Sequence, residues 1–116
     1  MSFFKESKSL EMRLKEAEHM MQKYPDRIPI IVERSKKCNN IPDIEKKKYL
    51  VPKDLTVGQF MYIIRKKINL EPTKTMFLFC NNILPPTSMM IQLLYDQKKE
   101  VDNFLYLTYA SENTFG

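Results

Sequence analysis

Residues 46–60 read KKKYLVPKDLTVGQF, a stretch that combines the signals of a sheet edge with those of a helix start. The run from Tyr49 to Val51 is apolar, and it is preceded by three lysines and followed by Pro52, which has no amide hydrogen to give to a sheet. Lysine and proline discourage pairing with foreign strands, so this composition is typical of an edge strand.

The second half of the stretch specifies a helix. Thr56 and Gln59 have the spacing of a capping box, and Leu55 and Phe60 occupy the two positions whose side chains pack across a helix start. A strand edge therefore runs directly into a helix. Apolar side chains beside unpaired backbone groups favour a peptide-docking groove over a catalytic pocket.

Composition limits the class of protein. The 116 residues are 43% hydrophobic and contain no membrane-length apolar run, so we expect one soluble domain. Cys38 and Cys80 lie far apart and His19 is the single histidine, so we predict no disulfide framework, no metal site and no cofactor. Free cysteines indicate a reducing compartment such as the cytosol or nucleus. The net charge of +5 leaves nucleic acid, an anionic membrane and acidic peptides open as partners.

Periodicity and chain breakers predict the order helix, strand, strand, helix, strand, short helix, strand. The predicted ranges are helices over 9–24 and 57–68, a possible short helix over 3–7, strands over 28–32, 49–51, 76–80 and 104–109, a polar loop over 34–45, and a short helix capped by Thr87 or Ser88. The strand over 28–32 is apolar on both faces, and the most apolar run, over 104–109, is the expected central strand.

This order is that of the β-grasp fold, an α+β architecture in which a mixed sheet clasps one helix. We predict a helical extension over 1–24 packed on the domain, a ubiquitin-like β-grasp core over 25–110, and a flexible tail over 111–116. The tail ends in Gly116 and reaches roughly 20 Å if extended at ~3.3 Å per residue. Such a terminal carboxylate fits a narrow enzyme cleft as an acyl donor.

Enzymatic chemistry is not predicted. The sequence has no glycine-rich phosphate loop, no HExxH and no GxSxG. His19 lies in an amphipathic helix and is expected in solvent, and Cys80 is expected as a buried hydrophobe. Cys38 lies in a lysine-rich loop whose cations would lower its pKa, but no base accompanies it. We therefore assign no catalytic residue.

Several cations flank the predicted edge strand, among them Arg27, Lys46 and Lys48, and they suit acidic residues of a docked peptide or form an ordinary solvated face. Glu16 and Met20, four residues apart, share a flank of the first long helix and either border a surface pocket or fill the core. The aromatic residues mostly fit core positions, so we predict no nucleic-acid partner.

Four motifs carry a resemblance to a known family. They are Lys23-Tyr24-Pro25-Asp26-Arg27-Ile28-Pro29, the stretch 46–60, Asn81-Asn82-Ile83-Leu84-Pro85-Pro86-Thr87-Ser88, and Phe115-Gly116. In this order and over essentially the whole chain, they resemble the autophagy-related protein 8 family of ubiquitin-like modifiers, which includes the GABA-receptor-associated protein and the microtubule-associated light-chain proteins.

The resemblance implies a modifier of membranes. Gly116 would be activated by an E1-like enzyme, passed to an E2-like enzyme, joined to phosphatidylethanolamine during autophagosome formation, and released again by a deconjugating cysteine protease. The chain would be cytosolic when free and membrane-bound when lipidated, on an autophagosome or, as in some protist relatives, on a plastid-type organelle. A non-conjugated ubiquitin-like adaptor or tubulin-binding protein is the alternative.

The resemblance also implies a docking site for receptor proteins that carry an aromatic-x-x-aliphatic motif and add a strand beside Lys48 to Val51. The implied aromatic pocket consists of Glu16, Met20, Pro29, Lys48, Leu50 and Phe104. The implied aliphatic pocket consists of Tyr49, Val51, Pro52, Leu55, Phe60 and Ile63. Arg27, Lys46 and Lys48 would contact acidic residues that flank the motif.

The chain departs from the family pattern at two positions. Leu10 stands where phenylalanine is common, and Met20 replaces a branched aliphatic residue, so the aromatic pocket is expected to be more pliable. Many relatives also begin as precursors with residues beyond the glycine. Whether a protease must first expose Gly116 stays open.

Overall fold

The computed structural model describes residues 2–113, which form a four-stranded sheet with helices on both faces. The elements in chain order are α1 (Phe3–Ser7), α2 (Leu10–Lys23), β1 (Arg27–Arg34), β2 (Lys48–Pro52), α3 (Val57–Lys67), β3 (Phe77–Phe79), α4 (Ile91–Lys98) and β4 (Leu105–Ala110).

The sheet has the strand order β2-β1-β4-β3 and mixed directions. β1 runs antiparallel to β2 and parallel to β4, and β3 runs antiparallel to β4. The β-grasp prediction is therefore confirmed, β2 is an edge strand as predicted, and β4 lies in the interior of the sheet as the apolar run over 104–109 indicated.

The sheet buries apolar side chains on both faces, as predicted for β1. One face packs on α3 and forms the larger core, whose central members are Ile30, Val32, Phe60, Ile64, Leu107 and Tyr109. The other face packs on α1 and α2 and forms a smaller core of Phe4, Ala17, Ile31 and Phe104.

Helix starts follow local chemistry in three of the four helices. Thr56 accepts from the amide of Gln59, whose side chain in turn accepts from the amide of Thr56, which confirms the predicted capping box. Ser2 and Ser9 cap α1 and α2. The prediction for the fourth helix was wrong, since α4 starts after Met90 and its cap makes no side-chain hydrogen bond.

α4 is instead held by the residues before it. The amide of Ile91 donates to the carbonyl of Leu55 at 2.8 Å, and Thr56 forms an isolated bridge with Met90. A tertiary contact therefore fixes this helix start, and the exposed Thr87 and Ser88 lie in the preceding turn.

The polar loop before β2 starts one residue later than predicted, because β1 continues to Arg34. Two loop residues, Ile41 and Ile44, are each only 3% exposed and join the larger core. The guanidinium of Arg34 donates to the carbonyl of Ile41 at 3.0 Å. The loop is thus packed on the domain despite its polar composition.

An ion pair ties α2 to the chain before β4. Arg13 donates to the fully buried carboxylate of Asp102 at 2.7 Å, and the hydroxyl of Tyr106 donates to the same oxygen at 2.5 Å. The second carboxylate oxygen accepts from the amide of Phe104 at 3.0 Å. The ring of Phe104 then meets that of Phe4 edge to face at 5.2 Å. The N-terminal helices are therefore fastened to the face of the sheet opposite α3.

Candidate peptide-docking site

The outer side of β2 presents unpaired backbone groups at two residues. Val32 donates to the carbonyl of Lys47 at 2.7 Å, so this pair is hydrogen-bonded, and the register then makes Tyr49 and Val51 the next residues bonded to β1. The alternating residues, Lys48 and Leu50, direct their amide and carbonyl groups away from β1.

The open edge is short and partly covered. Pro52 would be the third outward residue, but it has no amide hydrogen, and its carbonyl accepts from Leu55 at 3.3 Å. The guanidinium of Arg27 donates to the carbonyl of Leu50 at 3.3 Å. A strand added here could therefore pair only with the backbone groups of Lys48 and Leu50, and Arg27 already binds the carbonyl of Leu50.

The residues expected to form the aromatic pocket lie on the α2 face of the sheet. Pro29 and Leu50 are direct cross-strand partners, with Pro29 buried and Leu50 half-buried. Met20 packs against the smaller core, which contains the fully buried Phe104. Lys48 and Glu16 join β2 to α2 by an ion pair across this patch.

The residues expected to form the aliphatic pocket lie mainly on the opposite face. Tyr49, Val51 and Phe60 are buried in the larger core, with the rings of Tyr49 and Phe60 edge to face at 5.9 Å. Leu55 and Ile63 are half-buried and pack against that core, so they supply the accessible apolar surface. Pro52 is exposed at the end of the strand, across from Arg27.

The two residue sets therefore lie on opposite faces of the sheet, with the open edge of β2 between them. An extended segment alternates its side chains between two faces, so residues i and i+2 share a face whereas i and i+3 do not. A segment paired with this edge can reach both sets with anchors three residues apart. The spacing aromatic-x-x-aliphatic has this property.

Cations are placed along the whole edge. Lys46 lies 5.0 Å above the ring of Tyr49, Lys48 contacts Glu16, and Arg27 covers the far end of the ladder. Glu16 also accepts from Lys8 at 2.9 Å. The sequence reasoning missed Lys8, because only the α1–α2 turn brings it beside Glu16.

The C-terminal glycine lies outside the described residues. β4 ends at Ala110, and the next residue, Ser111, is held by the loop that carries Cys38. The hydroxyl of Ser111 donates to the Asn40 side-chain oxygen at 2.5 Å, and its amide donates to the Cys38 sulfur at 3.4 Å. Gly116, the predicted acyl donor, is five residues beyond this contact in the sequence.

The pKa of Cys38 is lowered, as the sequence suggested, but by a different cause. Burial raises the pKa of this thiol, as does the charge of Glu112, and hydrogen bonds with the hydroxyl and amide of Ser111 and with the backbone of Asn40 more than offset these effects. The lysines of the loop are not the cause. Cys80 is 3% exposed and His19 is exposed, which confirms both predictions.

A cavity of about 850 Å³ lies between α1, the end of β1 and the middle of β4, and Lys47, which precedes β2, also lines it. Three of its lysines, Lys5, Lys36 and Lys47, are paired with acidic side chains. Over residues 2–113, no group of three or more histidine, cysteine or acidic residues could hold a metal ion. No helix within the same residues is long and apolar enough to cross a bilayer.

Comparisons with known proteins agree on one family. The family described as "Autophagy protein Atg8 ubiquitin like" matches residues 12–116. The chain is 55% identical over 115 residues to autophagy-related protein 8d of Arabidopsis thaliana, covering 99% of this chain and 95% of that one. It is 54% identical over 115 residues to autophagy-related protein 8B of Oryza sativa, covering 99% and 96%.

Solved structures give the same result. The Trypanosoma brucei ATG8 crystal structure matches with a TM-score of 0.92 and 38% identity, covering 100% of this chain and 99% of that one. Plasmodium falciparum Atg8, solved in complex with a Plasmodium falciparum Atg3 peptide, matches with a TM-score of 0.87 and 40% identity, covering 97% and 98%.

Proposed function

The chain belongs to the Atg8 family of autophagy-related ubiquitin-like proteins, and on this basis we propose that it is conjugated through Gly116 to phosphatidylethanolamine and recruits motif-bearing receptor proteins to the modified membrane. An E1-like enzyme would activate the terminal carboxylate, an E2-like enzyme would carry it as a thioester, and the ethanolamine nitrogen would accept it as an amide. A deconjugating cysteine protease would reverse the attachment.

The recruiting part of this proposal rests on the two-faced docking edge. Two apolar residue sets flank an open strand edge from opposite faces, and an aromatic-x-x-aliphatic segment places its two anchors on opposite faces when it is extended. Lys46, Lys48 and Arg27 supply positive charge along the same edge, which suits acidic residues beside the motif.

The conjugating part of the proposal rests on the family. The relative from Plasmodium falciparum was solved with an Atg3 peptide, which supports an E2-like partner for this chain as well. A lipid with two acyl chains holds a folded domain stably on a bilayer. Conjugation would therefore supply a membrane attachment that the helices of residues 2–113 do not provide by spanning the bilayer.

This assignment implies localisation and domain roles. The chain would be cytosolic when free and bound to the autophagosome, or to a plastid-type organelle, when lipidated. We propose that residues 1–24 form an extension of the ubiquitin-like core over 25–110, and that residues 111–116 act as the reactive tail. In the alternative of a non-conjugated adaptor or tubulin-binding protein, Gly116 would have no role.

The deciding experiment is conjugation in vitro. The chain is incubated with its E1-like and E2-like enzymes, ATP and phosphatidylethanolamine liposomes, and the product is followed by intact mass and gel mobility. We expect a lipid adduct that Gly116→Ala abolishes and that Glu112→Gln, a change at an exposed tail residue, preserves. Normal lipidation of Gly116→Ala, or no adduct with enzymes active on a relative, would favour the non-conjugated adaptor.

A further inference from the structure

One carboxylate at the docking edge is shared by two lysines. The Oε2 atom of Glu16 lies 2.9 Å from Lys8, and its Oε1 atom contacts Lys48. Lys8 lies between α1 and α2, Glu16 lies on α2, and Lys48 begins β2. The Glu16 side chain is only 20% exposed, so losing its partners would leave a poorly solvated charge.

The two lysines also act on each other. Burial and the neighbouring charge of Lys8 lower the pKa of Lys48. The guanidinium groups of Arg13 and Arg27 are engaged elsewhere, since Arg13 binds the carboxylate of Asp102 at 2.7 Å and Arg27 binds the carbonyl of Leu50 at 3.3 Å. Among the described residues, Lys8 is therefore the cation positioned to keep Glu16 paired when Lys48 moves.

We propose that Lys8 is a specificity-determining residue of the docking edge, because it stays paired with the Glu16 carboxylate while Lys48 turns towards an acidic residue of a docked segment. This inference rests on the proposed docking function. Without Lys8, moving Lys48 would leave the Glu16 carboxylate without a cationic partner, and the free-energy cost of that loss would oppose binding. With Lys8 in place, Lys48 exchanges one carboxylate for another.

The exchange predicts selectivity rather than general affinity. A segment with acidic flanking residues attracts Lys48 and benefits from Lys8. A segment with neutral flanking residues leaves Lys48 on Glu16, so its binding does not depend on Lys8. The ratio of the two affinities is therefore the quantity that reports the exchange.

The test uses titration calorimetry with two peptides that share one aromatic-x-x-aliphatic motif and differ only in glutamate or glutamine flanking residues. We expect Lys8→Gln to weaken the acidic peptide about threefold and the neutral peptide by less than about 1.5-fold. Lys15→Gln is the control, because it removes the same charge from a residue on α2. Lys15 pairs only with the exposed Glu11, at 3.4 Å. This control should leave the affinity ratio of the two peptides unchanged.

Two results would overturn the proposal while leaving the docking function intact. An unchanged affinity ratio would show that Lys8 does not assist Lys48; where both peptides are weakened equally, Lys8 would serve only to support α1. In a Lys48→Gln background, Lys8→Gln should have no further effect on the ratio. A persisting effect would indicate long-range charge attraction and would also contradict the exchange.

A second measurement tests in the free chain whether Lys8 and Lys48 share the Glu16 carboxylate. Removing Lys8 should raise the pKa of Lys48 and so lower the fraction of neutral amine that can react. Lys8→Gln should therefore slow the acetylation of Lys48 by substoichiometric acetic anhydride, measured by mass spectrometry relative to Lys15. Unchanged or faster acetylation would refute the sharing. If the parent chain binds neither peptide, the docking function fails and the exchange fails with it, whereas the acetylation result still reports whether the ion pair is shared.

Discussion

Replacing Leu50 with alanine should weaken the binding of a motif peptide selectively, through its aromatic residue. Leu50 lies on the α2 face of β2, and its side chain is half-buried in the free chain. Full burial of a leucine side chain is worth about 1.5–3 kcal/mol, and docking covers only the remaining exposed half. The truncation should therefore cost about 1 kcal/mol, or roughly fivefold in Kd.

The assay is a double-mutant cycle read by titration calorimetry. The parent chain and Leu50→Ala are each titrated with the motif peptide, with a peptide whose aromatic residue is alanine, and with one whose aliphatic residue is alanine. We expect the loss caused by Leu50→Ala to shrink when the aromatic residue is absent and to persist when the aliphatic residue is absent. Ile63→Ala, on the other face, should give the opposite pattern.

Two controls keep the result interpretable. Leu93 is 50% exposed on α4 and belongs to neither predicted pocket, so Leu93→Ala removes the same carbon atoms and should not change peptide affinity. Leu50→Met keeps most of the volume and should restore binding, and thermal unfolding shows whether each variant is folded. Equal coupling of Leu50 to both peptide residues would refute the assignment of the two pockets to opposite faces.

Two further changes test other parts of the structure. Asp102→Asn should lower the free energy of unfolding by about 3 kcal/mol in urea titrations, because it leaves Arg13 without its buried carboxylate; a loss of less than about 1 kcal/mol would mean that this pair does not fasten α2. The Ser111 hydroxyl and amide lower the pKa of Cys38, so Ser111→Ala should raise it and shift the pH profile of Cys38 alkylation upwards, with the buried second cysteine unreactive as the internal reference. An unmoved profile would exclude the Ser111 hydroxyl as the cause.

Local signals in the sequence predicted the features that depend on neighbouring residues. The capping box of Thr56 and Gln59 needs only residues three apart, and the edge position of β2 follows from its lysines and Pro52. The β-grasp order followed from hydrophobic periodicity. These parts of the fold were predictable because each depends on a few contiguous residues.

Contacts between distant residues could not be predicted in this way. Ser111 lies 73 residues from Cys38, yet its hydroxyl and amide help to lower the pKa of that thiol. The start of α4 depends on the Leu55 carbonyl rather than on a capping side chain. The placement of the two predicted pockets on opposite faces also required the register of β1 and β2. In each case the feature depends on residues that are distant in sequence and are brought together by the fold.

The shortness of the open ladder on β2 has a consequence for residence time. Only Lys48 and Leu50 direct backbone groups outward, and Arg27 already occupies one of their carbonyls. Each backbone hydrogen bond adds only about 0.5–1.5 kcal/mol, so a single bound segment should leave quickly. If the chain is conjugated to a bilayer in many copies, as proposed, a partner with two segments would rebind before it diffuses away, because tethering gives an effective concentration of about millimolar. Retention of such a partner would then follow the surface density of the modifier, so the membrane would hold cargo by avidity once enough copies have accumulated.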